Sequence, residues 1–149
     1  MENEDVMCDG EIELSDRAKS LWGKTNRVDD TEWLPLYVHM ADSAAMAVRI
    51  WDTWVPYGTK SIISRDLGND DDLARKLMIF LAGVHDIGKA TPVFQAKPIS
   101  FGPDAESLAW KPEQAGLPMI AGLRDTSHPT HPIAGQVILC LLYTSDAAD

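Results

Sequence analysis

Apolar positions recur at helical spacing in three stretches of this chain, and the spacing predicts helices over residues 34–54, 71–87 and 132–142. In the first, Met40, Ala44, Ala47, Trp51 and Trp54 form one stripe and His39, Ser43, Met46 and Ile50 form its neighbour, so His39 faces inward or nearly so. Pro35 suits the first turn, where its missing N–H costs nothing. In the second, Leu73, Leu77, Leu81 and Val84 mark the stripe behind an acidic start, Asp70-Asp71-Asp72, and Gly88 falls where a left-handed C-terminal cap is expected. In the third, Pro132 takes the first helical position, which leaves His131 at the helix entrance with its ring free to point into a cleft. A short helix over 15–21 also fits the pattern. Prolines at 92, 98, 103, 112 and 118 break residues 91–127 into loops and short turns, where Phe94, Phe101 and Trp110 can pack on the core or stack on bases, core packing being the expected use. The predicted fold class is all-α.

Composition narrows the picture without naming a function. At 149 residues and 45% hydrophobic, with five Trp, one domain with a real core is expected. Cys8 and Cys140 are too few for a disulfide framework, and Cys140 reads as a small buried apolar residue. No apolar run reaches the roughly 20 residues of a membrane helix, and no signal peptide is expected, since residues 1–16 carry seven acids and no base. A cytoplasmic location is therefore expected, with 1–16 a mobile acidic segment. The net charge of −10 is unhelpful to a nucleic-acid binder; without residues 1–16 it is −3, because 16 of the 23 acids remain against 13 bases. No repeat or low-complexity tract is present.

The chemistry concentrates in Gly83-Val84-His85-Asp86-Ile87-Gly88-Lys89, which puts a nitrogen ligand, an anionic oxygen ligand and a cation within five residues. Adjacent side chains on a regular helix diverge by about 100°, so His85 and Asp86 reach one ion only where the helix is ending. A His-Asp pair alone also reads as a part-buried histidine satisfied by its neighbour. His39 likewise reads either as a hydrogen-bonded core histidine or as a ligand, with Asp42 one turn on as a carboxylate to orient its ring. His128 and His131 have chelating spacing, but Pro129 and Pro132 extend the backbone, and His128 is expected to be a loop residue supporting the site rather than a ligand. Gly23-Lys24-Thr25 is not a phosphate loop: its first glycine would fall at Ala18, with no strand signal before it.

Together these blocks resemble the HD nuclease domain at the N-terminus of the CRISPR type I helicase-nuclease. The resemblance rests on Trp22-Gly23-Lys24-Thr25, on Tyr37-x-His39 with Ala44-Ala45, on Val84 to Lys89 with Phe94-Gln95-x-Lys97, and on His131-x-x-Ala134-Gly135, in that order. It covers about residues 19–142 and implies an HD-superfamily helical bundle that cuts single-stranded DNA with one or two divalent transition-metal ions, after a surveillance complex carrying guide RNA has opened the duplex. It implies metal ligation by His39, His85, Asp86 and His131, with Asp86 bridging two ions and Lys89 set against the scissile phosphate. Imidazole-rich ligation favours manganese, iron, cobalt or nickel over magnesium.

The family continues with a His-His pair, an Asp and a helicase, none of which this chain contains; it has four histidines in all. The expected organisation is an acidic segment 1–16, a partial HD nuclease domain 17–142 incomplete at its C-terminus, and a foreign tail 143–149. Weak metal binding and little cleavage by the fragment alone follow. Two other readings remain open: an HD phosphohydrolase acting on nucleotides, which the flanking Trp-Gly-Lys-Thr and Phe-Gln-x-Lys blocks argue against, and a non-catalytic fragment that keeps part of a metal site.

Overall fold

The structure, a computed structural model, describes residues 13–26, 32–97, 107–119 and 130–146. Its elements are α1 (Asp16–Ser20), β1 (Trp22–Thr25), β2 (Trp33–Pro35), α2 (Leu36–Thr53), α3 (Tyr57–Asp66), α4 (Asp71–Val84), a 3-10 turn (Ile87–Ala90), α5 (Pro92–Gln95), α6 (Trp110–Gln114) and α7 (His131–Asp146). The all-α expectation holds apart from one small antiparallel ribbon. No helix among the described residues is long and apolar enough to cross a membrane.

The acid-rich start of α4 acts as expected: the Asp70 carboxylate accepts from the Leu73 amide at 2.9 Å, closing a donor that the first turn leaves free. The Ser15 hydroxyl caps α1 in the same way. The reversal from α3 into α4 passes through Gly68 and Asn69, both at positive φ. The helix α3 was not predicted, because Tyr57–Asp66 has no continuous apolar stripe and packs on α4 with little burial. The helices α2 and α4 form the main packed pair. Gly83 makes that contact close: a Cβ there would stand 3.4 Å from the Ala44 Cβ. At the far end the Arg75 guanidinium donates both Nε and Nη2 to the two Asp52 oxygens at 2.9 Å, tying α4 to the last turn of α2.

The predicted stripes are only partly covered. Leu36, His39 and Trp51 of α2 and Ala74 of α4 are buried, whereas Met46, Ile50, Trp54, Leu73 and Leu81 are exposed. Cys140, expected to be buried, is also exposed, because α7 packs through its first turn and leaves its later apolar side chains uncovered. Pro35 ends β2 instead of opening α2. The ribbon itself was missed because three- and four-residue strands carry almost no periodicity. Of the acidic segment, residues 1–12 lie outside those described, and α1 begins at its last member, Asp16.

Gly88 corrects the expected cap. It does not adopt positive φ, and α4 has already ended at Val84 with His85 as a right-handed C-cap. Glycine is required here for a different reason: the backbone of α7 lies directly against it, so a Cβ would collide with the His131 carbonyl oxygen and stand 2.5 Å from the Gly135 nitrogen. Gly135, four residues after His131, completes this backbone-to-backbone contact, and Ala134 beside it is buried. Gly88→Ala should therefore cost about 3 kcal/mol, seen as a lowered urea midpoint with an unchanged slope. The helix α7 runs four residues past Leu142, with Tyr143 and Thr144 exposed. Deleting residues 143–149 should move stability by no more than about 0.5 kcal/mol in the same experiment.

Candidate metal centre

The end of α4 places the central carboxylate. Because the helix stops at Val84, His85 and Asp86 leave helical phase in a turn, Asp86 at φ −108°, ψ 11°, and the two side chains converge instead of diverging. Asp86 is 6% exposed. Its Oδ2 is 2.8 Å from the Nε2 of His39 on α2, 3.2 Å from the Nε2 of His85 and 2.7 Å from the Nζ of Lys89. Its Oδ1 faces the other way and lies 3.3 Å from the Nε2 of His131 at the start of α7. The four residues expected as ligands thus meet at one carboxylate, brought from α2, the α4 end and α7.

Electrostatics favours the charged form of this group. Burial alone would raise the Asp86 pKa, but hydrogen bonds from Lys89 and His39, with the charges of Lys89 and His85, outweigh it and hold the carboxyl below its ordinary value. Burial pushes the His131 pKa down, and Lys89, Lys97 and His85 add to that against the pull of Asp86. At neutral pH Asp86 is an anion and His131 a free base, the states a cation requires of its ligands.

The donor set fits a divalent metal ion. Ligand atoms of His39, His85 and Asp86 all lie within 4.8 Å of one another. The 2.8 and 3.2 Å separations from Oδ2 match the spacing of about 3 Å between adjacent ligands at bonds of about 2.1 Å. The tautomer of His85 adds a second observation. Its Nδ1 is 2.8 Å from the Ala82 carbonyl, which can only accept, so Nδ1 donates there and Nε2 is the ring nitrogen turned toward Oδ2, 3.2 Å away. A cation between Nε2 and Oδ2 would take a lone pair from each, with Nδ1 held by the Ala82 carbonyl fixing the ring.

Lys89 departs from the position expected of a phosphate contact. It is 8% exposed, and its ammonium is held by Asp86 and by the Gly23 carbonyl at 3.0 Å. Its neighbour Gly88 is pinned under α7, so the 3-10 turn carries the Lys89 stem inward. Asp42, expected to orient His39, is exposed and makes no hydrogen bond with it among the described residues; it lies on the solvent side of α2. The carboxylate that meets the His39 ring is Asp86, 2.8 Å from Nε2, on the side where an ion would bind. His128 lies outside the described residues, as does Phe101. Phe94 packs between Trp22, at 4.6 Å between ring centres, and His131, at 5.8 Å.

Sequence reasoning assigned no role to Gln95, which is wholly buried. Its side chain accepts from the Trp22 amide at 3.1 Å and donates to the Trp22 carbonyl at 2.9 Å and the Lys89 carbonyl at 2.8 Å. The Trp22 indole in turn donates to the Gln95 carbonyl at 3.2 Å. This clamp fixes β1 to the turn. An irregularity in the ribbon between Trp22 and Lys24 then leaves the Gly23 carbonyl aimed at Lys89. Gly23 allows a close approach to α2, since a Cβ there would stand 3.1 Å from the Leu36 Cα, tighter than an ordinary contact. The available signal was the presence of Trp-Gly-Lys-Thr and Phe-Gln-x-Lys among the blocks that carry the resemblance, but their pairing spans 73 positions and no local pattern reports it.

A helical domain in which a His-Asp turn meets a histidine from each of two other helices is an HD-type metal-binding domain. The chain belongs to the family described as the Cas3 HD domain, whose family model matches residues 22–148. It is 37% identical over 123 residues to the CRISPR-associated nuclease/helicase Cas3 of Streptococcus thermophilus, covering 78% of this chain and 13% of the relative. It is 34% identical over 85 residues to the CRISPR-associated endonuclease/helicase Cas3 of Thermus thermophilus, covering 57% of this chain and 9% of that one. The chain therefore spans a small part of the curated relatives it matches. No solved structure shows significant similarity to it.

Lys89→Met would leave the buried Asp86 without its ammonium and the Gly23 carbonyl without a donor, at a cost of about 3 kcal/mol near neutral pH. The Asp86 pKa is lowered in the folded parent, so its contribution is complete above the unfolded carboxylate pKa of about 3.9 and is lost as pH falls through the lower folded value. Urea titrations of parent and variant should accordingly converge in acid.

Proposed function

We propose that this chain forms the metal-dependent phosphodiester-cleaving centre of a CRISPR defence nuclease acting on single-stranded DNA. The observation that carries the reading is the single buried carboxylate, Asp86, with imidazoles disposed on both of its oxygens. His39, His85 and Asp86 would hold a first divalent transition ion. Asp86, through Oδ1, and His131 would contribute to a second, with Asp86 as the bridge. Ions bound there supply a hydroxide nucleophile near neutral pH and offset charge on the attacking and leaving oxygens.

The chain's own residues do the positioning. Lys89 keeps Asp86 ionised and turned toward His39 and His85. The Ala82 carbonyl fixes the His85 tautomer. Asp86 and Lys89 are thus the residues on which catalysis depends, Lys89 by holding the carboxylate. The names of the relatives join a nuclease and a helicase in one longer protein, which supports the centre working beside a helicase. The sequence resemblance adds to this reading a cytoplasmic location and a strand received from a surveillance complex carrying guide RNA. The family membership favours a nucleic-acid substrate over free nucleotides.

Among the described residues the first ion has three side chains and the second only two, so the second should bind weakly and turnover by the 149 residues alone should be slight. Calorimetry with manganese should show binding that Asp86→Ala abolishes. Grafting residues 22–148 into the matching segment of the Streptococcus thermophilus relative should give manganese-dependent cleavage of a labelled single strand, reduced at least about 10³-fold by Asp86→Ala. A graft that cuts equally well with that substitution, or that cuts without metal, would falsify the reading. A graft that binds manganese but never cuts would favour the non-catalytic alternative.

A further inference from the structure

Beyond the metal centre, the described residues gather aromatic rings and a cation at one place that the proposed chemistry does not use. The Lys111 ammonium on α6 stands 4.2 Å from the ring centre of Trp33 on β2 and 4.5 Å from that of Trp110 on its own helix. Trp110 is 49% exposed, although a large apolar ring of this kind is ordinarily drawn into the core. The ammonium makes no ion pair among the described residues, so its charge remains available to an anion. Trp33 also lines an open groove of about 550 Å³ together with Lys24, Thr25, Asn26, Glu32 and Leu34. The one acid of that lining, Glu32, accepts from the Asn26 side-chain amide at 2.7 Å, which holds its carboxylate at the 26–32 end of the groove.

We infer that this groove, together with the Trp33–Lys111–Trp110 cluster that adjoins it at Trp33, is a binding site for an unpaired stretch of nucleic acid strand, with a base stacked on an indole face and a phosphate on the Lys111 ammonium. The inference rests on the nuclease reading for the identity of the strand, but the observations behind it are separate. The half-exposed Trp110 indole has a π-face turned away from the ammonium that accepts any base, and the ammonium between the two rings lies close enough to meet the phosphate of a nucleotide stacked there. A duplex does not fit the same surface, because its bases are already stacked on one another and closed to an indole. The placement relative to the metal centre also fits. Lys24 directly follows Gly23, whose carbonyl holds the Lys89 ammonium 2.7 Å from Asp86, so β1 leads from the centre to the groove. On a chain of net charge −10, local cations of this kind must provide the attraction that the overall field does not.

The test measures binding of a labelled short oligodeoxythymidine by fluorescence anisotropy in EDTA, where metal-dependent cleavage plays no part. The intact chain should bind the single strand and bind a duplex of the same length more weakly. Trp110→Ala should weaken single-strand binding by about tenfold or more, and Trp110→Phe should recover most of it. Lys111→Gln should flatten the dependence of log affinity on log salt by about 0.7. Circular dichroism melting checks that each variant is folded; if Trp110→Ala is not, the Lys111→Gln slope and a comparison of Trp33→Phe with Trp33→Leu decide. The inference is overturned if the intact chain does not bind, if folded Trp110→Ala binds like the parent, or if the salt slope is unchanged by Lys111→Gln. Metal-dependent cleavage with unaltered binding by Trp110→Ala would remove the groove and leave the nuclease reading standing, whereas tight Trp110-dependent binding beside an inactive graft would do the reverse.

Discussion

A buried carboxylate in contact with an ammonium and three imidazoles is the constraint on which the rest of this structure turns. Left alone in such surroundings Asp86 would take up a proton, and a neutral carboxyl is a poor partner for any cation. Lys89 prevents that, but an ammonium buried with it needs its remaining donors satisfied, and the Gly23 carbonyl answers one of them. Gly23 in turn points correctly only because the ribbon is irregular at that residue and Gln95 clamps the strand beside it. The irregular pieces of the fold follow from the needs of one oxygen pair. Since buried ion pairs add little net stability compared with apolar packing, this network is better understood as fixing the charge state of the centre than as holding the chain together.

The apolar core supports that view. Its buried members are few, with Trp22, Leu36, Trp51, Ala74, Leu108 and Ala134 among them, and they sit beside buried polar groups: His39, Ser64, Asp86, Lys89 and Gln95. No buried side-chain polar atom among the described residues lacks a partner. A satisfied polar network of this kind specifies one arrangement, whereas the same network with one member removed is costly. Much of α2, α4 and α7 meanwhile presents apolar side chains outward, so the helices are organised around the centre at one end more than around a deep hydrophobic interior.

What the sequence made legible was what repeats locally. Helical periodicity located α2, α4 and α7, and the converging His39, His85, Asp86 and His131 were identifiable because their blocks carry a family pattern in addition to their chemistry. Periodicity does not report strands of three or four residues, so the ribbon escaped, and with it the reason for Gly23. It reported a glycine at 88 but supplied the wrong cause, since a left-handed cap and a backbone-to-backbone contact both demand the same residue and only the position of α7 distinguishes them. Asp42 was misplaced for a related reason: spacing along a helix says which residues neighbour His39, not which group on another element meets its ring, and in the same way the block that carries Lys89 does not report that Asp86 and the Gly23 carbonyl hold its ammonium.

The Gln95 clamp bears on the order in which the centre comes into existence. Trp22 and Gln95 are 73 residues apart, so their hydrogen bonds form only after a long loop has closed and its entropy has been spent. His85 and Asp86 can adopt their turn early, from local structure alone, yet the ammonium that keeps the carboxylate charged finds its second acceptor only once β1 has docked. Ion capture should therefore report completion of long-range folding, and a chain caught before the ribbon docks would carry every ligand in its sequence while lacking the anion that makes them a site.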